Sequence, residues 1–76
     1  MPAREYSGKF RDTIKVDEVD ANTTYVGKAK PGTATSSSAW QVMRVARLGS
    51  ITSTEFAAGS AEYIHVWDNR ATFSYS

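Results

Sequence analysis

Apolar and polar residues alternate along five short segments of the chain, and this period of two is typical of β-strands. The longest such segment is 39–48, in which Trp40 and Val42 alternate with Gln41 and Met43. Both faces of this segment are half apolar, as expected of a strand that is covered on each side for part of its length. The pattern predicts strands over 13–19, 23–30, 39–48, 51–57 and 71–76.

Turn-forming residues separate the predicted strands at intervals of about 8–12 residues. Pro31 and Gly32 favour one turn, and Gly49 with Ser50 favours a tight hairpin between the third and fourth strands. Strong helix formers never run long enough with a helical period to predict an amphipathic helix. The sequence therefore predicts an all-β fold, in the form of a small antiparallel β-sandwich or barrel.

The length of 76 residues allows one small domain with a separate N-terminal segment. Residues 1–12 are charged and poor in apolar side chains, with Tyr6 and Phe10 as the only large anchors. This segment is either a free disordered tail or an arm that orders on a neighbouring subunit. We interpret it as an extended N-terminal arm and residues 13–76 as a single β domain.

The small core has few ways to be reinforced from within the chain. The absence of cysteine excludes disulfides and thiolate metal sites, and a single histidine is too few for a multi-histidine centre. A domain of this size buries only about 60% of the surface of its unfolded chain. We therefore expect the protein to gain stability as a homo-oligomer or by docking on a protein partner.

Basic residues are concentrated in the middle of a chain whose net charge is only +1. Residues 21–50 contain Lys28, Lys30, Arg44 and Arg47 and no acidic residue. These four side chains are a candidate basic face for an acidic surface or nucleic acid. Four charges over this length are also ordinary for solvated strand faces, and the low net charge argues against nucleic acid as the partner.

No arrangement of polar residues in the sequence is specific for catalysis. His65 is close to Glu62 and Asp68 in the chain, but no glycine pattern frames a nucleophilic serine. The glycines are spaced as turn residues, and no glycine-rich phosphate loop is present. No apolar run approaches the ~18 residues of a membrane span. We therefore expect no enzymatic activity, no cofactor, no metal and no membrane partner.

Aromatic residues provide the candidate interface. Trp40 is expected in the core, and Trp67 either in the core or on a contact surface beside a turn. The stretch 63–67 is apolar with few charges, so as an exposed edge it would pair with another chain. The candidate interface residues are Tyr6, Phe10, Tyr63, His65, Trp67 and Arg70.

Two longer motifs lie in the middle and at the end of the sequence: residues 24–42 read TYVGKAKPGTATSSSAWQV and residues 66–76 read VWDNRATFSYS. They resemble motifs of a group of small proteins encoded by tailed bacteriophages, in the order and at about the separation found in that group. The chain departs from the group at 57–65, where an Asp-Gly turn and a Phe-Asp-Asn segment are common, and residues 1–21 lie outside the resemblance. The resemblance implies a non-catalytic structural role in the virion, with capsid or tail shell proteins as partners.

Three functions therefore compete. The first is a structural accessory protein that docks as repeated copies on the capsid, neck or tail of a virion, among which the motifs do not distinguish. The second is a small carbohydrate-binding module at a tail tip or fibre, which requires solvent-exposed Tyr63 and Trp67. The third is a barrel that binds single-stranded nucleic acid, which requires the four basic side chains on one face beside Tyr25 or Trp40.

Overall fold

The computed structural model describes residues 12–76, which form one antiparallel sheet and a 3₁₀ helix. The strands lie in the order β1-β2-β3-β4, and the short β5 pairs with the first residues of β3. The predicted arm of residues 1–12, including Tyr6 and Phe10, lies outside the described residues except for Asp12. The elements are β1 (Thr13–Asp20), β2 (Thr23–Ala29), β3 (Ser38–Leu48), β4 (Ile51–Phe56), β5 (His65–Val66) and the 3₁₀ helix (Trp67–Thr72).

The first four predicted strands are confirmed, and none of their ends differs from the structure by more than one residue. The predicted hairpin is confirmed too, because Leu48 pairs with Ile51 across the two turn residues. Gly49 adopts a φ of 64° in that turn, a conformation that glycine reaches without steric cost. Alternation along the chain therefore predicts the strands, and the turn at Gly49 and Ser50 predicts the pairing of β3 with β4.

The all-β prediction is confirmed, but the predicted sandwich or barrel is replaced by a single open sheet within residues 12–76. The predicted last strand, 71–76, explains the difference. Its first residues belong to the 3₁₀ helix instead, and the bridge between Ala57 and Tyr75 joins the chain end to the sheet. Because this C-terminal segment packs over one face of the sheet, it forms a second layer without forming a second sheet.

The core lies between the sheet and residues 67–76, which we call the C-terminal cover. The ring centroids of Trp40 and Trp67 are 6.0 Å apart, and the indole Nε1 of Trp40 donates a hydrogen bond to the Ala34 carbonyl at 2.9 Å. The prediction that Trp40 lies in the core is therefore confirmed, with its polar atom satisfied. The buried core residues are Ala29, Trp40, Val42, Ala57 and Trp67, with Tyr25, Phe73 and Tyr75 packed against them.

Gly27 on β2 makes room for the C-terminal cover. A Cβ built on this residue would overlap Cε3 of Trp67 and lie 2.7 Å from its Cζ3. The same Cβ would lie 3.2 Å from Cε3 of Trp40. The missing side chain therefore allows the Trp67 ring to rest directly on the strand backbone.

Candidate interaction surfaces

The sheet face opposite the C-terminal cover, here called the open face, carries a continuous row of apolar side chains. Val16, Val26, Met43 and Phe56 face one another across four consecutive strands, and we call this row the apolar band. Val16 is 58% exposed, and Ile14 beside it on β1 is 57% exposed, whereas the other three are half-buried. A contiguous apolar surface of this kind is typical of a protein contact site.

The loop before β5 crosses one end of the open face. Gln41 Nε2 donates a hydrogen bond to the Ala61 carbonyl at 2.7 Å, and the Tyr63 hydroxyl donates to Asp12 Oδ2 at 2.8 Å. The bond to the carboxylate raises the pKa of Tyr63, and partial burial and the negative charge of Asp12 act in the same direction. A cleft of about 380 Å³ lies here, lined by Asp12, Lys30, Thr33, Ala39 and Tyr63.

Two arginines tie the C-terminal cover to the other face of the sheet. Arg70 Nε donates to Asp17 Oδ2 at 3.0 Å, Nη1 donates to the Trp67 carbonyl, and the guanidinium lies 4.6 Å from the Trp67 ring centroid. Arg44 Nη2 donates to Glu55 Oε1 at 2.7 Å, and its guanidinium lies 4.9 Å from the Tyr75 ring centroid. Both arginines therefore combine an ion pair with a cation–π contact.

Tyr75 contacts both of these arginines. Its hydroxyl donates a hydrogen bond to the Arg70 carbonyl at 2.6 Å, and its ring lies 5.7 Å from that of Tyr25. Burial raises the pKa of Tyr75 to about 12, although the charges of Arg44 and Arg70 act in the opposite direction. This tyrosine is therefore a neutral structural donor.

The structure does not bring the predicted interface residues to one surface. Tyr63 is 44% exposed and lies at the end of the open face. Trp67, the first residue of the cover, is buried against the opposite face of the sheet. His65 is half-buried in β5 with its ring 5.1 Å from that of Phe73, and its Nε2 has no partner within residues 12–76. Arg70 forms an ion pair with Asp17. Tyr6 and Phe10 lie outside the described residues.

The four basic residues of the middle segment are also divided. Lys28 and Arg47 belong to the open face by the alternation of β2 and β3, and Lys30 follows β2 at the cleft. Arg44 points to the opposite face, where it pairs with Glu55 beside Tyr25. The structure therefore separates Arg44 from the other three side chains.

The described residues contain no group that indicates another kind of site. Within residues 12–76, no three His, Asp or Glu side chains lie close enough together to hold a metal ion. No helix in this part of the chain has the length and apolar character needed to cross a membrane. No protein-family model, curated protein or solved structure matches the chain.

The apolar band of the open face is the feature that the candidate residues chosen from the sequence did not include. Its signal was present, because Ile14 and Val16 alternate with Lys15 and Asp17 in the predicted first strand. Which of the two faces stays open depends on where the C-terminal segment packs, and the local pattern does not contain that information.

Proposed function

We propose that the chain is a structural accessory protein of a tailed-phage virion, which docks on the capsid, neck or tail as repeated copies. The apolar band on the open face is the observation that carries this proposal. Its occupant is an apolar surface of the virion shell, since burial of an apolar row of this kind favours association. The phage-like motifs of 24–42 and 66–76 point in the same direction.

The small size of the domain also favours this function. A 76-residue chain without disulfides has a limited core, and its C-terminal cover protects only one face of the sheet. A shell protein packed on the apolar band would cover the second face of the sheet, so that the sheet would lie between the C-terminal cover and the shell. Docking would thereby stabilise the folded chain by mass action.

The competing functions receive less support from the positions of their residues. A carbohydrate-binding module needs an exposed aromatic platform, but Trp67 is only 5% exposed and leaves Tyr63 alone at the surface. A nucleic-acid-binding surface needs the four basic side chains together, but Arg44 points away from Lys28 and Arg47. A contact surface between proteins requires neither arrangement.

The test is incorporation of the protein into particles of the phage that encodes it. Copies per particle are counted by quantitative mass spectrometry of gradient-purified virions, with heads and tails also analysed separately. Met43→Glu places a charge in the apolar band, and Leu48→Glu places the same charge at the hairpin tip, where Leu48 is 86% exposed. Circular dichroism establishes that each variant is folded, and Met43→Gln replaces Met43→Glu if the latter unfolds.

We expect multiple copies of the wild-type protein and of Leu48→Glu per particle, and at least a tenfold loss of copies for the Met43 variant. Absence of the wild-type protein from purified particles would overturn the proposed function. Incorporation of the folded Met43 variant at wild-type copy number would instead show that the apolar band is not the docking surface.

A further inference from the structure

β1 forms one outer edge of the sheet. β1 is the end strand of the sheet and runs for eight residues, and within residues 12–76 its only strand partner is β2. Six of these eight residues are exposed, Ile14 and Val16 among them. The unpaired backbone N–H and C=O groups of such an edge are a template for pairing with another chain.

From the order of charges along this edge we infer that β1 pairs in antiparallel fashion with β1 of a second copy, with the two Val16 residues facing each other. The inference deepens the proposed function and rests on it, because it names a contact between the repeated copies. The occupant of the edge is thus a second copy of this chain.

The geometry of an antiparallel pair restricts the registers that are possible. Every second residue of a strand directs its N–H and C=O groups toward the same edge. Two residues that face each other must both point toward the shared edge or both point away from it. In a pair of identical strands, the sequence numbers of facing residues therefore differ by an even number. The twofold axis therefore passes midway between one residue and the same residue of the second copy. Near the middle of the strand, that residue is Lys15, Val16 or Asp17.

The charges distinguish these three registers. An axis at Lys15 places two ammonium groups opposite each other, and an axis at Asp17 does the same with two carboxylates, which is unfavourable. An axis at Val16 places Lys15 opposite Asp17 of the second copy, twice, and pairs the two valines. Of these three registers, only the one centred on Val16 places opposite charges across from each other.

The pair between Asp17 and Arg70 is compatible with this contact. Arg70 bonds to Oδ2 of the carboxylate, and the Asp17 side chain keeps 37% of its surface exposed. An ionised carboxylate accepts several hydrogen bonds, so the same group can also accept one from Lys15 of the second copy. A lysine on an edge strand usually discourages pairing, but here self-pairing neutralises its charge.

Edge pairing also enlarges the surface available for docking. One four-stranded face is about 19 Å wide and covers roughly 320 Å² over five residues. A stable interface takes roughly 600–1,000 Å² from each partner, so a single face is too small and two paired faces reach the lower end of this range. Because Val16 lies at the β1 end of the apolar band, pairing brings two bands together as one surface of about 650 Å² at the same spacing.

Disulfide trapping tests this register in a chain that has no natural cysteine. Val16→Cys places two thiols at a facing position, where Cα atoms lie about 4.5–5.5 Å apart, within disulfide range. Ile14→Cys is the matched control, since Ile14 is on the same face and 57% exposed against 58% for Val16. Its two copies would lie about 14 Å apart in the proposed register.

Each variant of the full chain is equilibrated in a glutathione redox buffer, and the cross-linked fraction is read on a non-reducing gel. We expect at least fivefold more cross-linked dimer for Val16→Cys than for Ile14→Cys. Equal cross-linking of the two variants, or none in either, would overturn the inference. The proposed function would survive that result if the wild-type protein is found in multiple copies in virions. Absence of the protein from virions would overturn the proposed function but not the pairing of β1, which the cross-linking tests separately.

Discussion

The packing of the C-terminal cover on the sheet depends on the absence of a side chain at Gly27. In most strands a glycine is a weak choice, because it adds backbone entropy to the unfolded chain and contributes no side-chain contact. Here a Cβ would overlap the ring of Trp67, which is itself 95% removed from solvent. In the sequence, this glycine lies within an alternating strand pattern. The contact that requires it is with Trp67, 40 positions further along the chain, and no local pattern predicts that contact.

Replacement of this glycine is predicted to destabilise the protein. Gly27→Ala should cost about 1–3 kcal/mol through overpacking. That loss corresponds to a fall in Tm of roughly 5–20 °C for a domain of this size. Ser53→Ala at an exposed position of the edge strand β4 is the control, with an expected change within about 0.5 kcal/mol. In a Trp67→Phe background the cost of Gly27→Ala should shrink, and an undiminished cost in thermal melts would contradict the proposed overlap.

Tyr75 gives a residue-scale prediction about pH. Its pKa is about 12 in the folded protein and about 10 in the unfolded chain, so the neutral form is favoured by folding. The associated stability is fully present below pH 10 and is lost as the pH rises from 10 to 12. Tyr75→Phe removes this titration together with the hydrogen bond to the Arg70 carbonyl.

We therefore expect wild type to exceed Tyr75→Phe in stability by about 1 kcal/mol at pH 8. The difference should narrow between pH 10 and pH 12, when both proteins are followed in parallel by urea denaturation. A constant difference across this range would mean that Tyr75 ionises at the same pH in the folded and unfolded chains.

At the scale of elements, the strands could be predicted from the sequence and the C-terminal segment could not. Strand identity is encoded by local alternation, so β1 to β4 appear at the expected positions. Residues 71–76 alternate as well, yet the contacts of Arg70 with Asp17, 53 positions away, hold 67–72 as a 3₁₀ helix over the sheet. A long-range contact therefore overrides a local strand pattern and leaves the sheet open.

The contact between Arg70 and Asp17 predicts that replacement by lysine lowers stability more at Arg70 than at Arg47. Arg70→Lys keeps the charge but loses the fork that bonds to Asp17 and to the Trp67 carbonyl while stacking on the Trp67 ring. We expect a loss of about 1–2 kcal/mol in the free energy of unfolding from urea titrations. Arg47→Lys is the matched control, because Arg47 Nε donates to the exposed carbonyl of Gly49. This variant should change stability by less than about 0.5 kcal/mol. Equal losses would contradict a specific role for the Arg70 fork.

At the scale of the whole molecule, residues 12–76 form a sheet with one face covered, and within these residues the opposite face and the outer edge of β1 carry no further layer or strand. The sequence indicated a protein too small to be self-sufficient and therefore inclined to associate. It did not indicate through which surface, because Trp67 became core while Val16 and Ile14 remained exposed. The division between core and contact surface is a property of the assembled fold, set by which side of the sheet the C-terminal residues cover.

If two copies share a sheet through β1, the thermal stability of the protein must depend on its concentration. Dimerisation stabilises the folded state by mass action, and each tenfold rise in concentration adds about 1.4 kcal/mol per dimer. Shared between two chains, this predicts a rise in Tm of roughly 3–6 °C per tenfold step in the wild type. Lys15→Glu places a carboxylate opposite Asp17 of the second copy and should flatten this dependence. Arg47→Glu makes the same change of charge away from the edge and should retain it, so a Tm that is independent of concentration in both wild type and Arg47→Glu would exclude the shared sheet.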